Sequence, residues 1–493
     1  MDLGIDIGTS EVKVALVDDA QRVVGQASAA VPISRPHPLW SEQNPDDWWT
    51  ATRAALGKLR AQHPKEYAAA RGIGLSGHMH GATLLDKDDR VLRPGILWND
   101  GRSHAQCAEL ERRAPTSRTI TGNIAMPGFT APKLIWVEEN EPEIFRKVAR
   151  VLLPKDYVRL KLTGEAVSDM SDAAGTLWLD VARRAWSDTM LAATHLTRSH
   201  MPRLVEGSEA SGTLRAEVAS QLGLQAGVVV AGGAGDNAAS AAGLGVTTPG
   251  TAFLSLGTSG VYFVANAAYS PNPAGAVHAF CHAFPDTWHQ MSVMLSAASC
   301  MGWLKRLTHA DSEAQLVTEA EDLPDGAATP IFLPYLSGER TPHNDPHASG
   351  VFFGLTHAHS RGHLAYSVLE GVAFSFLDGQ QALLGGGAQI DSVTLVGGGS
   401  RSAAWAQLLA DTLGRTLDRR SGGEVGAALG AARLGRLART HESVADVCVA
   451  PPLLDSFAPN PARTAALAER HAQYQRLYRA LKPDMQAFSA LAI

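Results

Sequence analysis

Apolar runs separated by short turns open the chain. Residues 3–7 and 12–17 are two largely apolar runs joined by a Gly-Thr-Ser turn, and residues 22–27 form a third run after a second turn at 18–21. Short runs bounded by turn residues are typical of β-hairpins. The first thirty residues are therefore predicted to form a three-stranded antiparallel meander.

The same strand, turn, strand arrangement returns at residues 253–264, again around a Gly-Thr-Ser turn. This recurrence indicates that the chain is built from two similar halves, each with a long mixed α/β stretch after its hairpin. The glycine-rich sequence at 245–250 suits a crossing segment between the halves. We therefore predict an N-terminal domain at 1–246 and a C-terminal domain at 247–493.

Other patterns predict the rest of an α/β fold. Short apolar runs beside glycines predict buried strands of a mixed sheet at 72–75, 228–231 and 393–396. Small and apolar residues recur at three- and four-residue intervals in 45–60, 403–413 and 425–437, which predicts helices there.

Composition narrows the class of protein. With 493 residues, 45% hydrophobic and 19% charged, the chain is expected to fold into several domains with a cleft between them. The net charge of −6 and the scattered Lys and Arg residues argue against nucleic-acid binding. We expect a cytoplasmic protein that is not membrane-bound, because no signal-like N-terminus and no apolar stretch of about eighteen residues occurs. The four cysteines lie far apart and are expected to be reduced and buried.

Asp6 stands near the end of the first strand, directly before the first Gly-Thr-Ser turn. A carboxylate there can hold a metal-bound water beside a phosphate cradled by the turn, which includes Thr9 and Ser10. The alternative is an ordinary hairpin whose aspartate satisfies local amides. The second turn, with Gly257 and Thr258, favours two turns that grip a polyphosphate from both sides, although Ser255 replaces the aspartate in that copy.

Two further glycine-rich turns are candidate sites. The predicted strand at 228–231 runs into glycines and then Asp236, which opens a helix of small residues. Asp236 is a candidate general base or only a helix N-cap, and both interpretations stay open. The glycines at 397–399 follow a strand and precede a helix, as expected where backbone packs against a nucleotide. A simple loop is the alternative there, although it hardly needs three glycines.

Other motifs point to no site. Residues 72–77 match GxGxxG, but the glycines lie within a predicted strand and His78 follows where a helix should open, so a dinucleotide site is disfavoured. No P-loop sequence occurs. His278 and His282 have metal-like spacing, yet residues 276–284 alternate like a strand without further ligands, so structural histidines are favoured over zinc binding.

Residues 4–10, 126–136 and 350–371 resemble the FGGY family of carbohydrate kinases, and the resemblance covers nearly the whole chain. It implies two ribonuclease H-like domains of duplicated topology around a central cleft, as in actin-like ATPases. Segments 34–43, 77–81 and 97–102 resemble the bacterial members that phosphorylate D-xylulose. His78 is a small departure, since glutamine is expected there.

The resemblance implies a role for each candidate residue. Asp236 becomes the general base, acting at its ordinary pKa, while Asp6 organises magnesium and the transferring phosphate together with Thr9 and Ser10. The residues implied in sugar binding are Met79, His80, Trp98, Asp236 and Asn237. The residues implied in ATP binding are Thr9, Ser10, Gly257 and Thr258 at the phosphates, and Gly397, Gly398, Gly399 and Ser402 beside the adenosine.

The expected activity is ATP- and Mg²⁺-dependent phosphorylation of D-xylulose to D-xylulose 5-phosphate. One alternative is a kinase of the same family that acts on another pentulose, a hexulose or a sugar acid. Another is a non-catalytic actin-like sugar sensor, which would not need both Asp6 and Asp236. A dinucleotide-dependent oxidoreductase would need the disfavoured GxGxxG site. The expected partners are small molecules, and a homodimer is one compatible assembly.

Overall fold

A computed structural model describes residues 1–324, 326–423 and 426–491. The first half contains, in chain order, β1 (Asp2–Ile7), β2 (Glu11–Val17), β3 (Val23–Ala30), β4 (Glu42–Gln43), α1 (Pro45–Gln62), α2 (Pro64–Ala68), β5 (Gly72–Gly77), β6 (Thr83–Leu85), β7 (Gly95–Ile96), α3 (His104–Arg113), α4 (Ser117–Thr121), α5 (Thr130–Asn140), α6 (Pro142–Phe145), β8 (Arg150–Leu152), α7 (Pro154–Thr163), β9 (Val167–Asp169), α8 (Met170–Ala174), β10 (Leu179–Asp180), β11 (Ala185–Trp186), α9 (Asp188–Ala192), β12 (Arg203–Val205), β13 (Ala210–Thr213), α10 (Ala216–Leu222), β14 (Val229–Ala231), β15 (Ala234–Gly235) and α11 (Asp236–Leu244).

The second half continues the mixed α/β pattern. Its elements are β16 (Thr251–Leu256), β17 (Gly260–Asn266), β18 (His278–Cys281), β19 (Trp288–Met294), α12 (Ser299–Thr308), α13 (Glu313–Glu321), β20 (Ile331–Leu333), β21 (Val351–Phe353), α14 (Arg361–Gly385), β22 (Ser392–Val396), α15 (Ala403–Leu413), β23 (Leu417–Arg420), α16 (Gly426–Thr440), α17 (Val444–Val447), β24 (Leu453–Phe457) and α18 (Pro461–Leu491).

The first half is organised around a seven-stranded sheet. Its strands run in the order β13, β14, β5, β1, β2 and β3, with the short β15 also pairing with β5. The β1–β2 and β2–β3 pairs are antiparallel, so the predicted meander is confirmed, whereas β1 and β5 are parallel. Every residue of β5 is buried, as expected for a central strand covered on both faces.

The second sheet repeats this arrangement. Its order is β18, β19, β17, β16, β22, β23 and β24. The strand β16 is antiparallel to β17 and parallel to β22, just as β1 is antiparallel to β2 and parallel to β5. The predicted duplication is therefore confirmed in the topology, and the predicted strands at 72–75, 228–231 and 393–396 correspond to β5, β14 and β22.

The helix α16 belongs to the second half by sequence but packs across β1 and β5 of the first sheet. A Cβ atom added at Gly4 would lie 1.8 Å from the Ala428 carbonyl oxygen, and one at Gly74 would lie 1.7 Å from that of Ala431. The glycines of the GxGxxG-like segment thus permit close packing of a helix on a strand. The predicted helix at 425–437 is found as α16, although Val425 lies outside the described residues. The division at 246/247 stays a prediction.

The other predicted helices at 45–60 and 403–413 are found as α1 and α15. The four cysteines are buried and free, as predicted, and burial raises the pKa of each thiol to about 12. Within the part of the chain that the structure describes, no helix is both long and apolar enough to cross a membrane.

Candidate active site

Asp6 occupies the second-to-last position of β1, where the backbone places it opposite Lys13 of β2 and Ser76 of β5. One of its carboxylate oxygens accepts a 2.9 Å hydrogen bond from the Ser76 hydroxyl. Burial raises the pKa of Asp6 above its ordinary value, and the Ser76 hydrogen bond and the Lys13 charge only partly oppose this effect. Asp6 is thus a desolvated carboxyl group near the C-terminal end of a central strand.

Asp236 is the first residue of α11, and Gly235 takes the N-cap position. One Asp236 oxygen accepts hydrogen bonds from the Asn237 backbone amide at 2.7 Å and from the Asn237 side-chain amide at 3.0 Å. Burial, together with the nearby Asp6, raises the pKa of Asp236 to about 7. The expectation that Asp236 keeps its ordinary pKa is therefore wrong, because desolvation outweighs the helix N-terminus.

Two cavities open on either side of this aspartate pair. The smaller, about 210 Å³, is bordered by Asp6, Lys13, Asn237, Ser240, Leu244, Phe253, Ser255, Val396, Gly397, Gly423, Gly426, Ala427 and Ala428. The larger, about 270 Å³, is bordered by Met79, His80, Trp98, Met126, Gly128, Phe129, Asp236, Asn237, Ser259, Val261, His278, Met291, Val293 and Arg340. Asn237 borders both cavities. Asp6 borders the smaller cavity and Asp236 the larger, so each cavity has one acidic residue near their shared boundary at Asn237.

The larger cavity brings together all the predicted sugar-binding residues. Within it, His80 has a left-handed backbone with φ of 71°, and its carbonyl accepts hydrogen bonds from Lys133 Nζ at 2.8 Å and Thr130 Oγ1 at 3.2 Å. The His80 ring donates from Nδ1 to the Gly175 carbonyl at 2.6 Å, because a carbonyl can only accept. Burial lowers the pKa of His80 to about 3, so its Nε2 atom is a hydrogen-bond acceptor available to a ligand hydroxyl.

Trp98 links the larger cavity to the first Gly-Thr-Ser turn. Its indole Nε1 donates a 2.9 Å hydrogen bond to Thr9 Oγ1, and its side chain remains 40% exposed. The Thr9 carbonyl in turn accepts a 2.6 Å hydrogen bond from Gln43 Nε2. The turn is therefore held in place by side chains from two other segments.

The predicted ATP-binding residues are brought together only in part. Gly397 lines the smaller cavity with φ of 96°, and a Cβ atom there would lie 2.6 Å from the backbone of Leu256. Ser402 Oγ accepts the Trp405 backbone amide and caps α15. In the described part of the chain, Thr9, Ser10, Gly257, Thr258, Gly398, Gly399 and Ser402 do not border either of the two cavities.

Several residues at the site were not predicted from the sequence. Lys133 lies within the family-like segment at 126–136 but was not predicted to have a role at the site. Its buried ammonium donates to the His80 carbonyl, and burial lowers the pKa of Lys133 to about 7. Lys13 lies two residues into β2 and borders the smaller cavity. Its position shortly after the first Gly-Thr-Ser turn is the sequence signal by which it could have been predicted as a phosphate-binding cation. Ser76, which donates a hydrogen bond to Asp6, and Arg340, which borders the larger cavity, carry no recognisable sequence signal, because only the tertiary fold places them there.

The chain belongs to the FGGY family of carbohydrate kinases. The N-terminal domain of the family matches residues 1–243 and its C-terminal domain matches residues 252–439. The protein is therefore a sugar kinase, and the expected pair of actin-like ATPase domains is confirmed by structural neighbours from this family.

Particular relatives are similar over nearly the full length. The xylulose kinase of Escherichia coli (strain K12) is 54% identical over 486 residues, covering 98% of this chain and all of the relative. The crystal structure of a xyloylose kinase from Brucella ovis has a TM-score of 0.95 at 54% identity, with 98% and 99% of the two chains covered. That of xylulose kinase from Rhodospirillum rubrum has a TM-score of 0.91 at 32% identity, with the same coverage.

Proposed function

We propose that the protein transfers the γ-phosphoryl group of ATP to O5 of D-xylulose, giving D-xylulose 5-phosphate and ADP. The observation that carries this proposal is the position of Asp6 and Asp236 at the boundary of two cavities in a member of a sugar kinase family. The choice of D-xylulose rests on full-length similarity to xylulose kinases. A cytoplasmic location is part of the same proposal, because the proposed phosphoryl donor, ATP, is available there.

In the proposed reaction, Asp236 accepts the proton of the C5 hydroxyl while O5 of the sugar forms a bond to the γ-phosphorus. The bond between that phosphorus and the bridging oxygen breaks, and ADP leaves. A hydroxyl group of a sugar is a poor nucleophile until a base takes its proton, and general-base catalysis typically accelerates reactions by about 10²–10⁴-fold. With a pKa raised to about 7 by burial and Asp6, Asp236 is a stronger base than an ordinary aspartate.

Asp6 and the smaller cavity fit a nucleotide with one magnesium ion. Magnesium in kinases is held by one or two carboxylates plus substrate phosphates and water, and Asp6, which borders the smaller cavity, would supply one such carboxylate. Among the described residues, no cluster of three or more His, Cys, Asp or Glu could hold a metal ion without such help. When bound, the ion would neutralise charge on the β- and γ-phosphates.

The other proposed contacts divide between phosphates and adenosine. Thr9, Ser10, Gly257 and Thr258 belong to turns that would approach the phosphates when the cleft closes. Gly397 borders the smaller cavity and supports an adenosine position beside the glycines at 397–399 and Ser402. Lys13 joins this group as a cation facing the same cavity.

A coupled assay of ADP release tests the proposal with D-xylulose, D-ribulose, hexuloses, sugar acids and polyols at equal concentration. D-Xylulose should give the highest kcat/KM, because an epimer leaves buried polar groups unpaired. Equal or better turnover of another substrate would exclude the xylulose assignment but leave a sugar kinase. No turnover of any sugar, with nucleotide still bound, would favour the sugar sensor.

A further inference from the structure

Arg340 borders the larger cavity without an acidic partner. Its guanidinium forms no ion pair with any carboxylate in the ranges 1–324, 326–423 and 426–491, and its one side-chain hydrogen bond within these ranges is with His278. Its backbone is fixed on the second half of the chain, because the Arg340 amide donates to Glu339 Oε1 at 2.8 Å and the next residue, Thr341, pairs with Val293. A guanidinium placed this way has donors that a ligand must satisfy.

A hydrogen-bond relay from the first half of the chain orients this guanidinium. Asn123 Nδ2 donates to two backbone carbonyls, which leaves its Oδ1 as the acceptor for His278 Nδ1 at 3.0 Å. The His278 Nε2 atom then carries a lone pair and accepts a hydrogen bond from Arg340 Nη1 at 3.4 Å. His278, predicted from the sequence to be a structural histidine, therefore borders the cavity and also helps to orient Arg340.

Burial lowers the pKa of Arg340 from its very high ordinary value, and the neighbouring Glu339 opposes this effect. Burial raises the pKa of the adjacent Glu339 to about 8, and the charge of Arg340 only partly opposes this effect. After burial, the charge of Arg340 helps to lower the pKa of His278 and, less strongly, that of His80. The pKa of Asp236, by contrast, is raised by burial and Asp6 and lowered by the Asn237 hydrogen bonds, without a contribution from Arg340.

We infer that Arg340 is a specificity-determining residue that donates hydrogen bonds to the C2 carbonyl and C1 hydroxyl oxygens of an open-chain 2-ketose. This inference rests on the proposed function, in which O5 of the sugar lies at Asp236. A ketose presents two neighbouring acceptors at its other end, which suit the planar fork of donors in a guanidinium. The C2 carbonyl oxygen of a ketose presents its lone pairs in one plane, which matches the guanidinium, whereas the tetrahedral C2 of a polyol moves its oxygen out of that plane and adds a proton that Arg340 cannot accept.

The experiment compares kcat/KM for D-xylulose with that for xylitol and D-arabinitol, the two polyols formed by reducing its C2 carbonyl. The variants are Arg340→Met, which removes all donors, and Arg340→Lys, which keeps the charge but not the fork. The matched control is Arg463→Met, which alters an arginine 48% exposed and paired with Asp411 outside this cavity. Thermal unfolding and calorimetry with Mg-ATP establish that each variant is folded and binds nucleotide.

Loss of a charge-assisted hydrogen bond is expected to lower kcat/KM for D-xylulose about 10- to 100-fold in Arg340→Met, with less effect on either polyol. The ketose-to-polyol ratio should therefore fall, partly in Arg340→Lys and not in Arg463→Met. Asn123→Ala, which breaks the relay behind His278, should reduce the same ratio mainly through KM, and it tests the idea even where Arg340→Met fails to fold.

An unchanged ratio in folded Arg340 and Asn123 variants would overturn the inference. It would also be overturned if D-xylonate, a five-carbon sugar acid, were the preferred substrate and lost most activity in Arg340→Met, since the guanidinium would then serve a carboxylate. Failure of the proposed function is distinct, because it appears in the unmodified protein as no preference for D-xylulose. A preference for D-xylulose that survives in Arg340→Met refutes only the role of Arg340.

Discussion

Replacing Asp236 with Asn should reduce activity and increase stability, because the same burial that makes this carboxylate basic also penalises its charge. Asn keeps the shape and an acceptor for the Asn237 amides but cannot take a proton. Loss of a general base should lower kcat by about 10²–10⁴-fold, equivalent to about 3–5 kcal/mol of transition-state stabilisation. Binding of D-xylulose, measured by calorimetry, should persist.

The stability effect has a defined pH window. Folding raises the pKa of Asp236 from 3.8 to about 7, so between these values the native state holds a proton that the unfolded state has released. Stability from this group therefore falls as pH rises through the window, by up to about 4 kcal/mol once pH exceeds 7. Asp236→Asn removes this penalty, so its free energy of unfolding should exceed that of the unmodified protein at pH 8 and match it near pH 4.

Urea unfolding at pH 5 and pH 8 measures the stability difference, and a coupled ADP assay over the same range measures activity. In the unmodified protein, kcat/KM should rise with pH toward a pKa near 7 as the base ionises, and this limb should be absent in the variant. Asp188→Asn is the control, because Arg198 lowers the pKa of that surface acid and its removal should not stabilise the protein at pH 8. Near-normal turnover of Asp236→Asn, or no gain in stability at pH 8, would refute the reasoning.

Three other predictions address the remaining parts of the site. Asp6→Ala should abolish metal-dependent transfer while sparing sugar binding; calorimetry showing lost xylulose binding with normal Mg-ATP affinity would reverse the assigned roles. His80→Ala should lower kcat/KM for D-xylulose at least about 10-fold and for D-ribulose less, since its Nε2 acceptor is lost; an unchanged ratio would contradict this. Sugar with a non-hydrolysable ATP analogue should draw the halves together, and small-angle scattering identical with and without ligands would count against closure.

The sequence predicted those parts of the fold that depend on local pattern. The two hairpins, the strands beside glycines and the helices α1 and α15 follow from apolar periodicity and turn residues, which act over a few positions. The periodicity of α16 predicted a helix but not its location, because packing on β1 and β5 depends on glycines more than 350 positions away in the chain. Long-range docking of this kind leaves no periodic signal.

The site was predictable where a motif places the residue on a local turn. Asp6 and Asp236 lie at strand ends beside glycines. Met79, His80 and Trp98, which the family resemblance grouped as sugar-binding residues, border one cavity, and their role in sugar binding stays a prediction. The pKa of Asp236 was not predictable, because it depends on burial and on a second aspartate 230 positions earlier. Arg340 was missed for a related reason, since a lone arginine in a loop is usually a surface residue and only the cavity shows otherwise.

The distribution of the larger cavity between the two halves connects specificity to catalysis. Met79, His80, Trp98 and Asp236 come from the first half, whereas His278 and Arg340 come from the second. If the halves close as predicted, a sugar that satisfies donors and acceptors on both sides should stabilise the closed arrangement, and closure should bring the second phosphate-type turn toward Asp6. A sugar lacking the matching groups would leave Arg340 or His80 unpaired and favour the open arrangement. Substrate selection should therefore appear partly in kcat as well as in KM, because the reactive geometry depends on the same contacts.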